Sequence, residues 1–205
     1  MKKSAGLWLH LKLPVGLVLL AFLVAACRPA ATDEGQEIEA APGAYHYSGG
    51  SSSFADLYRH ASDALDRGEF EAAESSFREI VDKDPGDVDG YIGLGTSLFL
   101  QGRIDEAEGA YATALGIKPR SAEALIGLGS VHYSREEYSN AVNYYRSAVL
   151  IESRNVNALW GLAISLNELG LGEEALAPLQ KILELVPNSS LAEKAEAMMN
   201  AIEQP

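Results

Sequence analysis

Histidine and acidic side chains are the first to test for metal or acid–base chemistry. No two histidines have a spacing such as H-x-x-x-H, which places two imidazoles on one helix face around a metal ion. Four aspartates between residues 82 and 89 form an acidic cluster, but they lack the spacing of an EF-hand loop. The chain also has no G-x-S-x-G elbow or glycine-rich phosphate loop. The sequence therefore predicts a protein that is not an enzyme and that needs no metal, cofactor or small-molecule substrate.

A basic start and an apolar run precede Cys27, the only cysteine of the chain. Residues 1–12 contain Lys2, Lys3 and Lys12, and residues 13–26 are almost wholly apolar and end in small residues. This pattern predicts a secretion signal peptide over residues 1–26. The apolar run is shorter than the roughly 20 residues that span a bilayer, so an uncleaved anchor is the less favoured alternative.

The residues Val24-Ala25-Ala26-Cys27 resemble the bacterial lipobox. The resemblance implies that Cys27 becomes the first residue of the mature protein and carries acyl chains such as palmitate, which hold the protein on a membrane. A chance cysteine beside an ordinary cleavage site is the alternative. Arg28 follows the cysteine in place of the aspartate that retains enteric lipoproteins in the inner membrane. The resemblance thus implies the periplasmic face of an outer membrane, or the outer face of the plasma membrane in a bacterium with one membrane.

The segment after Cys27 has the composition of a linker. Residues 28–53 are rich in Gly, Ser, Ala, Pro and acidic residues and poor in aliphatic ones. Such a segment cannot bury enough apolar surface to offset the entropy that ordering would cost. Residues 27–53 are therefore predicted to be the lipidated cysteine and a flexible acidic tether, with a mean reach on the order of 28 Å.

The rest of the chain repeats itself every 34 residues. Residues that favour the N-cap of a helix recur at this interval: Ser53, Asp87, Ser121, Asn155 and Ser189. Proline, which ends a helix, stands two residues before three of these caps, at Pro85, Pro119 and Pro187. The pattern predicts nine helices, near residues 54–67, 70–83, 88–101, 104–117, 122–135, 138–151, 156–169, 172–185 and 190–203.

Apolar residues hold fixed places when each repeat is numbered from position 1 to position 34. Position 8 is small in every repeat, and position 20 is always alanine, at Ala73, Ala107, Ala141 and Ala175. Position 24 is large, with Phe77, Tyr111, Tyr145 and Leu179. These offsets put apolar groups on one face of each helix, and the small residues allow two antiparallel helices to approach closely.

This pattern resembles the tetratricopeptide repeat, with its signature W-x₂-L-G-x₂-Y followed by A-x₃-F, A and P. The resemblance implies an all-α fold, an α-solenoid of four helix-turn-helix repeats at residues 54–87, 88–121, 122–155 and 156–189. A capping helix and tail at residues 190–205 would end it. Two departures stand out, because Ser153 replaces the proline of the third repeat and Pro178 lies inside the second helix of the fourth. We expect Pro178 to kink that helix or to loosen its first turn.

In this family, the first helix of each repeat lines the concave side through positions 2, 5, 9 and 12. The resemblance therefore implies a partner-binding groove. The predicted groove residues are Tyr58, Ile92, Thr96, Phe99, Ile126, Ser130, Tyr133, Asn157, Trp160, Ile164 and Asn167. Tyr133 and Trp160 are the expected anchors, since large amphipathic rings are typical of interfaces. Ile92 and Ile126 have an alternative interpretation as core residues, because apolar residues at helical spacing usually belong to the core.

The charge of the chain restricts the class of partner. Its formal net charge is −13, and Asp89 and Glu123 give the predicted groove an acidic edge. An acidic groove favours a neutral or basic protein segment and disfavours nucleic acid.

These observations lead to two hypotheses. The first is a membrane-anchored scaffold or adaptor of the bacterial cell envelope, which binds a peptide or helix of a partner protein, in pilus, secretion or outer membrane assembly. The alternative is an adaptor that regulates a cell-wall hydrolase or a periplasmic protease. Stoichiometric co-purification with an envelope protein would favour the first, and altered wall turnover on deletion would favour the second.

Overall fold

The computed structural model describes residues 53–203, which form nine helices joined by short turns. The helices are α1 (Phe54–Asp66), α2 (Phe70–Lys83), α3 (Val88–Leu100), α4 (Ile104–Ile117), α5 (Ala122–Ser134), α6 (Tyr138–Ile151), α7 (Val156–Glu168), α8 (Gly172–Leu185) and α9 (Ser190–Glu203). The predicted all-α class is confirmed. The predicted signal peptide, Cys27 and nearly all of the tether lie outside the described residues. Among helices α1 to α9, none is long and apolar enough to cross a bilayer.

Side-chain caps begin the first helix of every repeat and the final helix, as predicted. For example, the Asp87 carboxylate accepts a hydrogen bond from the Gly90 N–H at 2.7 Å, and the Ser189 hydroxyl accepts one from the Ala192 N–H at 3.1 Å. Ser53, Ser121 and Asn155 cap α1, α5 and α7 in the same way. Each cap satisfies a backbone donor that has no partner inside its helix.

The first helix of each repeat ends in a tight turn at position 15. Gly68, Gly102 and Gly170 have φ between +74° and +78°, a left-handed conformation that glycine adopts without a steric cost. The third repeat has Glu136 in this place, with φ of +62°. A side chain at this φ is strained, because its Cβ crowds the following carbonyl oxygen. The turns also end α1, α3, α5 and α7 one residue earlier than the sequence pattern predicts.

Replacing Glu136 with glycine should raise the free energy of unfolding by about 1 kcal/mol, because the strain of the left-handed turn is removed. Urea denaturation followed by circular dichroism measures this. Glu136→Ala is the matched control, since it removes the same carboxylate but keeps a Cβ in the left-handed turn. An equal gain from both variants would show that the charge, and not the backbone, is responsible.

The second helix of each repeat ends at the same place with or without proline. Helices α2, α4 and α8 stop two residues before Pro85, Pro119 and Pro187, and α6 stops two residues before Ser153. The repeat packing therefore ends α6 without help from a proline. Helix α8 continues through the buried Pro178 from Gly172 to Leu185, so the helix is not interrupted there.

Successive repeats interlock through an aromatic ring and a glycine. The rings at position 24, Phe77, Tyr111 and Tyr145, lie against the glycine at position 6 of the next repeat. A Cβ added at Gly93, Gly127 or Gly161 would overlap these rings. At the end of the array, the fully buried Leu179 takes the place of the ring, and the fully buried Ala195 of α9 takes the place of the glycine. At the other end, position 6 of the first repeat is the exposed Arg59.

Every helix packs against its neighbours in sequence, and the first helices of successive repeats also touch, α3 with α5 and α5 with α7. The first helices therefore form the inner side of the curved array. The outward side of α9 carries the exposed Glu193, Glu196 and Asn200 at positions 4, 7 and 11. In the second to fourth repeats those positions are buried or half-buried, so the polar side chains on α9 let the array end in water.

Ionic bridges join the first three repeats at their edges. The Glu74 carboxylate accepts hydrogen bonds from Gln101 and Arg103 of the second repeat at 2.7 Å each. At the next junction, Arg135 bonds to Glu108 at 2.7 Å. These bridges use position 21 of one repeat and positions 14 and 16 of the following one.

Candidate functional site: the inner helical face

The structure places the eleven predicted groove residues on α1, α3, α5 and α7. We call the surface formed by positions 2, 5, 9 and 12 of these helices the inner face. Three of the predicted residues reach solvent substantially: Asn167 is exposed, and Tyr58 and Asn157 are half-buried. Asp89 is also exposed and Glu123 is half-buried, so the edge formed by position 2 is polar and accessible.

The apolar residues of the inner face are recessed. Their exposed fractions are only 4% to 7%, at Ile92, Phe99, Ile126, Tyr133, Trp160 and Ile164. All six belong to the hydrophobic clusters that form the core. Ile92 and Ile126 therefore fit the alternative interpretation as core residues, and the stripe forms the floor of the inner face, with the polar residues at its rim.

Thr96 and Ser130 were expected to line the groove, and the structure corrects this expectation. Both are fully buried. Thr96 Oγ1 lies 3.1 Å from the Tyr111 hydroxyl, and Ser130 Oγ lies 2.9 Å from the Tyr145 hydroxyl. Position 9 thus supplies a partner for the tyrosine of the same repeat, because a buried hydroxyl without a hydrogen bond is costly.

The fourth repeat shows the same coupling between positions 9 and 24 without polar groups. Ile164 replaces the hydroxyl residue where Leu179 replaces the tyrosine, and neither of these side chains needs a hydrogen bond. Burial raises the pKa of the Tyr145 hydroxyl well above its usual value, which agrees with its position deep in the core. The link between positions 9 and 24 could have been found in the sequence, because both positions lose their hydroxyl group together in the fourth repeat.

Ser130→Ala is expected to lower the free energy of unfolding by about 1 to 2 kcal/mol, because it deprives the buried Tyr145 hydroxyl of its partner. Thermal unfolding of the variant measures this. Ser147→Ala is the control, since the exposed Ser147 hydroxyl bonds only to the Asn143 carbonyl of its own helix. A similar loss in both variants would contradict the special role of Ser130.

Trp160 presents an unsatisfied polar group at the centre of the inner face of α7. Its side chain is 7% exposed, and the indole N–H has no hydrogen-bond partner in the described part of the chain. Asn157, one turn earlier, and Ile164, one turn later, share its face of the helix. An unpaired buried donor costs about 1 to 3 kcal/mol, and this N–H is covered by the surrounding side chains.

Carboxylates crowd the rim of the inner face. Partial burial, together with the neighbouring carboxylates of Asp87 and Glu123, raises the pKa of Asp89. Asp87 also accepts a hydrogen bond from the Tyr58 hydroxyl at 2.5 Å. At the opposite edge, burial and the carboxylate of Glu168 raise the pKa of Tyr133. The inner face is therefore electronegative along both edges.

Residues 53–203 contain no group of three or more His, Cys, Asp or Glu side chains arranged to hold a metal ion. What the inner face offers is a shallow apolar floor and an acidic rim. This arrangement fits recognition of a polypeptide.

Comparison with known proteins identifies the fold. The tetratricopeptide repeat family model matches residues 58–122, 101–154 and 126–190. A thermophilic TPR protein of Thermus thermophilus is 22% identical with a TM-score of 0.66, covering 72% of this chain and 82% of that one. PilF of Pseudomonas aeruginosa is 19% identical with a TM-score of 0.66, covering 74% and 69%.

A third similar structure contains a bound peptide. It is the type III secretion chaperone SycD of Yersinia enterocolitica in complex with a peptide of the translocator YopD. SycD is 19% identical with a TM-score of 0.52, and the match covers 55% of this chain and 89% of that one. No curated protein matches the sequence. At these identities, the similarity is one of fold.

Proposed function

Because the chain belongs to the tetratricopeptide repeat family, we propose that it is a protein-binding scaffold or adaptor of the bacterial cell envelope, and that it holds a segment of its partner on the inner face. The observation that carries this proposal is the inner face itself, where a polar and acidic rim that solvent can reach surrounds a recessed apolar floor. A partner segment would cover the recessed apolar floor and pair its own polar or basic groups with the rim.

The positions at which the four repeats differ in residue type also support the inner face as the binding surface. Positions 8, 20 and 24 keep one type of residue because the packing requires it, whereas position 5 changes from Tyr58 to Ile92, Ile126 and Trp160. Position 12 changes from Leu65 to Phe99, Tyr133 and Asn167. An inner face that differs along the array can recognise a partner segment in one register only.

The proposal includes the anchor. Acylation of Cys27 would place the array on the periplasmic face of an outer membrane, or on the outer face of the plasma membrane of a bacterium with one membrane. SycD with its translocator peptide supports the idea that an array of this fold can hold a segment of an exported protein. Pilus, secretion or outer membrane assembly is the process we propose.

The anchor is tested by mass spectrometry of the full chain purified from membranes. We expect a mature protein that begins at residue 27 and carries the mass of acyl chains, and we expect Cys27→Ser to abolish both changes. An unmodified Cys27 in a chain that retains residues 1–26 would contradict the proposal.

The partner is tested by photocrosslinking in living cells. A photoreactive amino acid replaces Asp89 or Asn157, whose side chains reach solvent on the inner face, and Asn143 on the exposed side of α6 serves as the control. We expect both inner positions to capture the same envelope assembly protein and the control to capture none of it.

The outcomes separate the possibilities. Capture of a cell-wall hydrolase or a protease would replace the proposed process with a regulatory one. Equal capture from position 143, or no capture from either inner position, would remove the inner face as the binding surface.

A further inference from the structure

A pocket lies beyond the end of the inner face, between the turn that follows α7 and the last two turns of α9, and Asn167 borders both surfaces. We call it the turn–tail pocket. It has a volume of about 700 Å³, and its lining includes Asn167, Leu171, Glu173, Glu174, Met198 and Ile202. Leu171 and the neighbouring Leu169 are 43% and 37% exposed. Met198 and Ile202 are partly buried, so an apolar surface about two side chains wide stays open to solvent.

The other repeats show that this apolar surface is unusual for the turn. Positions 14 and 16 are Arg67 and Glu69 in the first repeat, Gln101 and Arg103 in the second, and Arg135 and Glu137 in the third. Only the fourth repeat has two leucines, Leu169 and Leu171. The tight turn itself therefore does not require apolar side chains at these positions.

Packing between the third and fourth repeats explains only part of this change. Position 21, which holds the bridging carboxylates Glu74 and Glu108 in the first two repeats, is Val142 in the third. Because Val142 is apolar, leucines at positions 14 and 16 of the fourth repeat would suit it better than the polar and charged residues found there in the other repeats. However, Val142 is already 6% exposed, and the two leucines keep about two fifths of their surfaces in solvent. Neither leucine belongs to the core cluster that contains Val142.

The charges around the turn–tail pocket restrict what can cover it. Glu173 and Glu174 lie in its lining, and no lysine or arginine does. Arg146 approaches Glu174 at 3.4 Å, while Glu173 has no ion pair in the described part of the chain. A second copy of the array would bring the same carboxylates against each other. A positively charged partner would be attracted instead.

We propose that the turn–tail pocket is a second docking site, which takes an aliphatic side chain flanked by lysine or arginine in a segment of a partner protein. The aliphatic group would fill the space between Leu171 and Ile202. The flanking cation would pair with Glu173. The site shares only Asn167 with the inner face, and the leucines and carboxylates that form it belong to the turn and to α8, so it does not depend on the function proposed for that face.

The test uses the full chain in detergent micelles and a defined probe. The probe is a fluorescent peptide in which photo-leucine is flanked by lysines, and a peptide with alanine at the apolar position is its control. The variant is Leu169→Arg with Leu171→Glu, which copies the third repeat's own turn and leaves the net charge unchanged. Leu150→Gln, at an 80% exposed position on α6, is the matched control.

We expect the probe to crosslink to residues 169–174 and 198–202, and its affinity, measured by fluorescence anisotropy, to fall at least tenfold in the double variant. The alanine peptide should bind at least tenfold more weakly, and Leu150→Gln should bind like the unmodified protein. Equal affinity for the double variant would overturn the proposal, as would crosslinks confined to α3 and α5 of the inner face. Absence of any binding by the leucine probe would also overturn it.

Discussion

Gly127→Ala is expected to lower the free energy of unfolding by about 3 kcal/mol or more. The added methyl group would overlap the Tyr111 ring, which is fully buried and also lies against Gly95, so the ring has little room to move. Overpacking of a closed core typically costs about 1 to 3 kcal/mol, and occasionally more. Because the glycine lies at the junction of two repeats, the change should also separate the unfolding of the two halves of the array. Chemical denaturation followed by circular dichroism and by calorimetry measures both effects.

Two further variants identify the cause. Gly109→Ala is the matched control, because a Cβ there meets nothing within 4 Å in α4, and it should stabilise the helix by about 0.5 to 1 kcal/mol. Tyr111→Leu combined with Gly127→Ala copies the pairing of Leu179 with Ala195 at the end of the array. This double variant should be more stable than Gly127→Ala alone. Equal losses from Gly109→Ala and Gly127→Ala would reject the steric explanation.

Glu74→Gln should lower the free energy of unfolding by about 2 kcal/mol at pH 7, because hydrogen bonds to a charged group are worth roughly 1.5 to 3 kcal/mol. Burial by itself would raise the pKa of Glu74, but hydrogen bonds from Gln101, Arg78 and Arg103 outweigh it and hold the pKa below its usual value. Glutamine keeps the shape of the side chain and loses the charge. Urea denaturation at neutral pH measures the difference.

The pH dependence of this difference follows from the direction of the pKa shift. A carboxyl group with a lowered pKa in the folded state stabilises the fold fully above its unfolded pKa, which is about 4.5 for glutamate. The contribution is lost as the pH falls through the folded pKa. The gap between the two proteins should therefore be constant at neutral pH and should shrink below pH 4.5. Glu79→Gln, which removes an exposed pair with Lys83, should change stability little at any pH.

The fold could be predicted from the sequence because its signals are local. Each cap residue bonds to a backbone N–H two or three residues later, and the apolar spacing of each helix reflects its own buried face. The period of 34 residues then places the helices in repeats. The one-residue errors at the ends of four helices arose because the left-handed residue at position 15, glycine in three repeats and Glu136 in the third, makes position 14 the C-cap and not part of the helix.

The inner face could be predicted only in part, because burial depends on the distance between helices. Thr96 and Ser130 have the right spacing to line a groove, but tyrosines 15 residues later in the chain bring both hydroxyls into the core. The glycines at position 6 were equally visible as a recurrence at Gly93, Gly127 and Gly161. Their role requires knowing that an aromatic ring of the preceding repeat lies against them. The sequence pattern of a single helix therefore cannot predict which of its residues are buried by contacts with another repeat.

The ends of the array determine its valency. A helical filament would form if the last helix of one copy could accept the first repeat of another, since such head-to-tail contacts do not close on themselves. The polar Glu193, Glu196 and Asn200 on α9 oppose this contact at one end, and Arg59 opposes it at the other by occupying the place where the junctions between repeats have a glycine. Each chain therefore offers one inner face of fixed length, so that the number of partner segments bound there is set by the number of copies present.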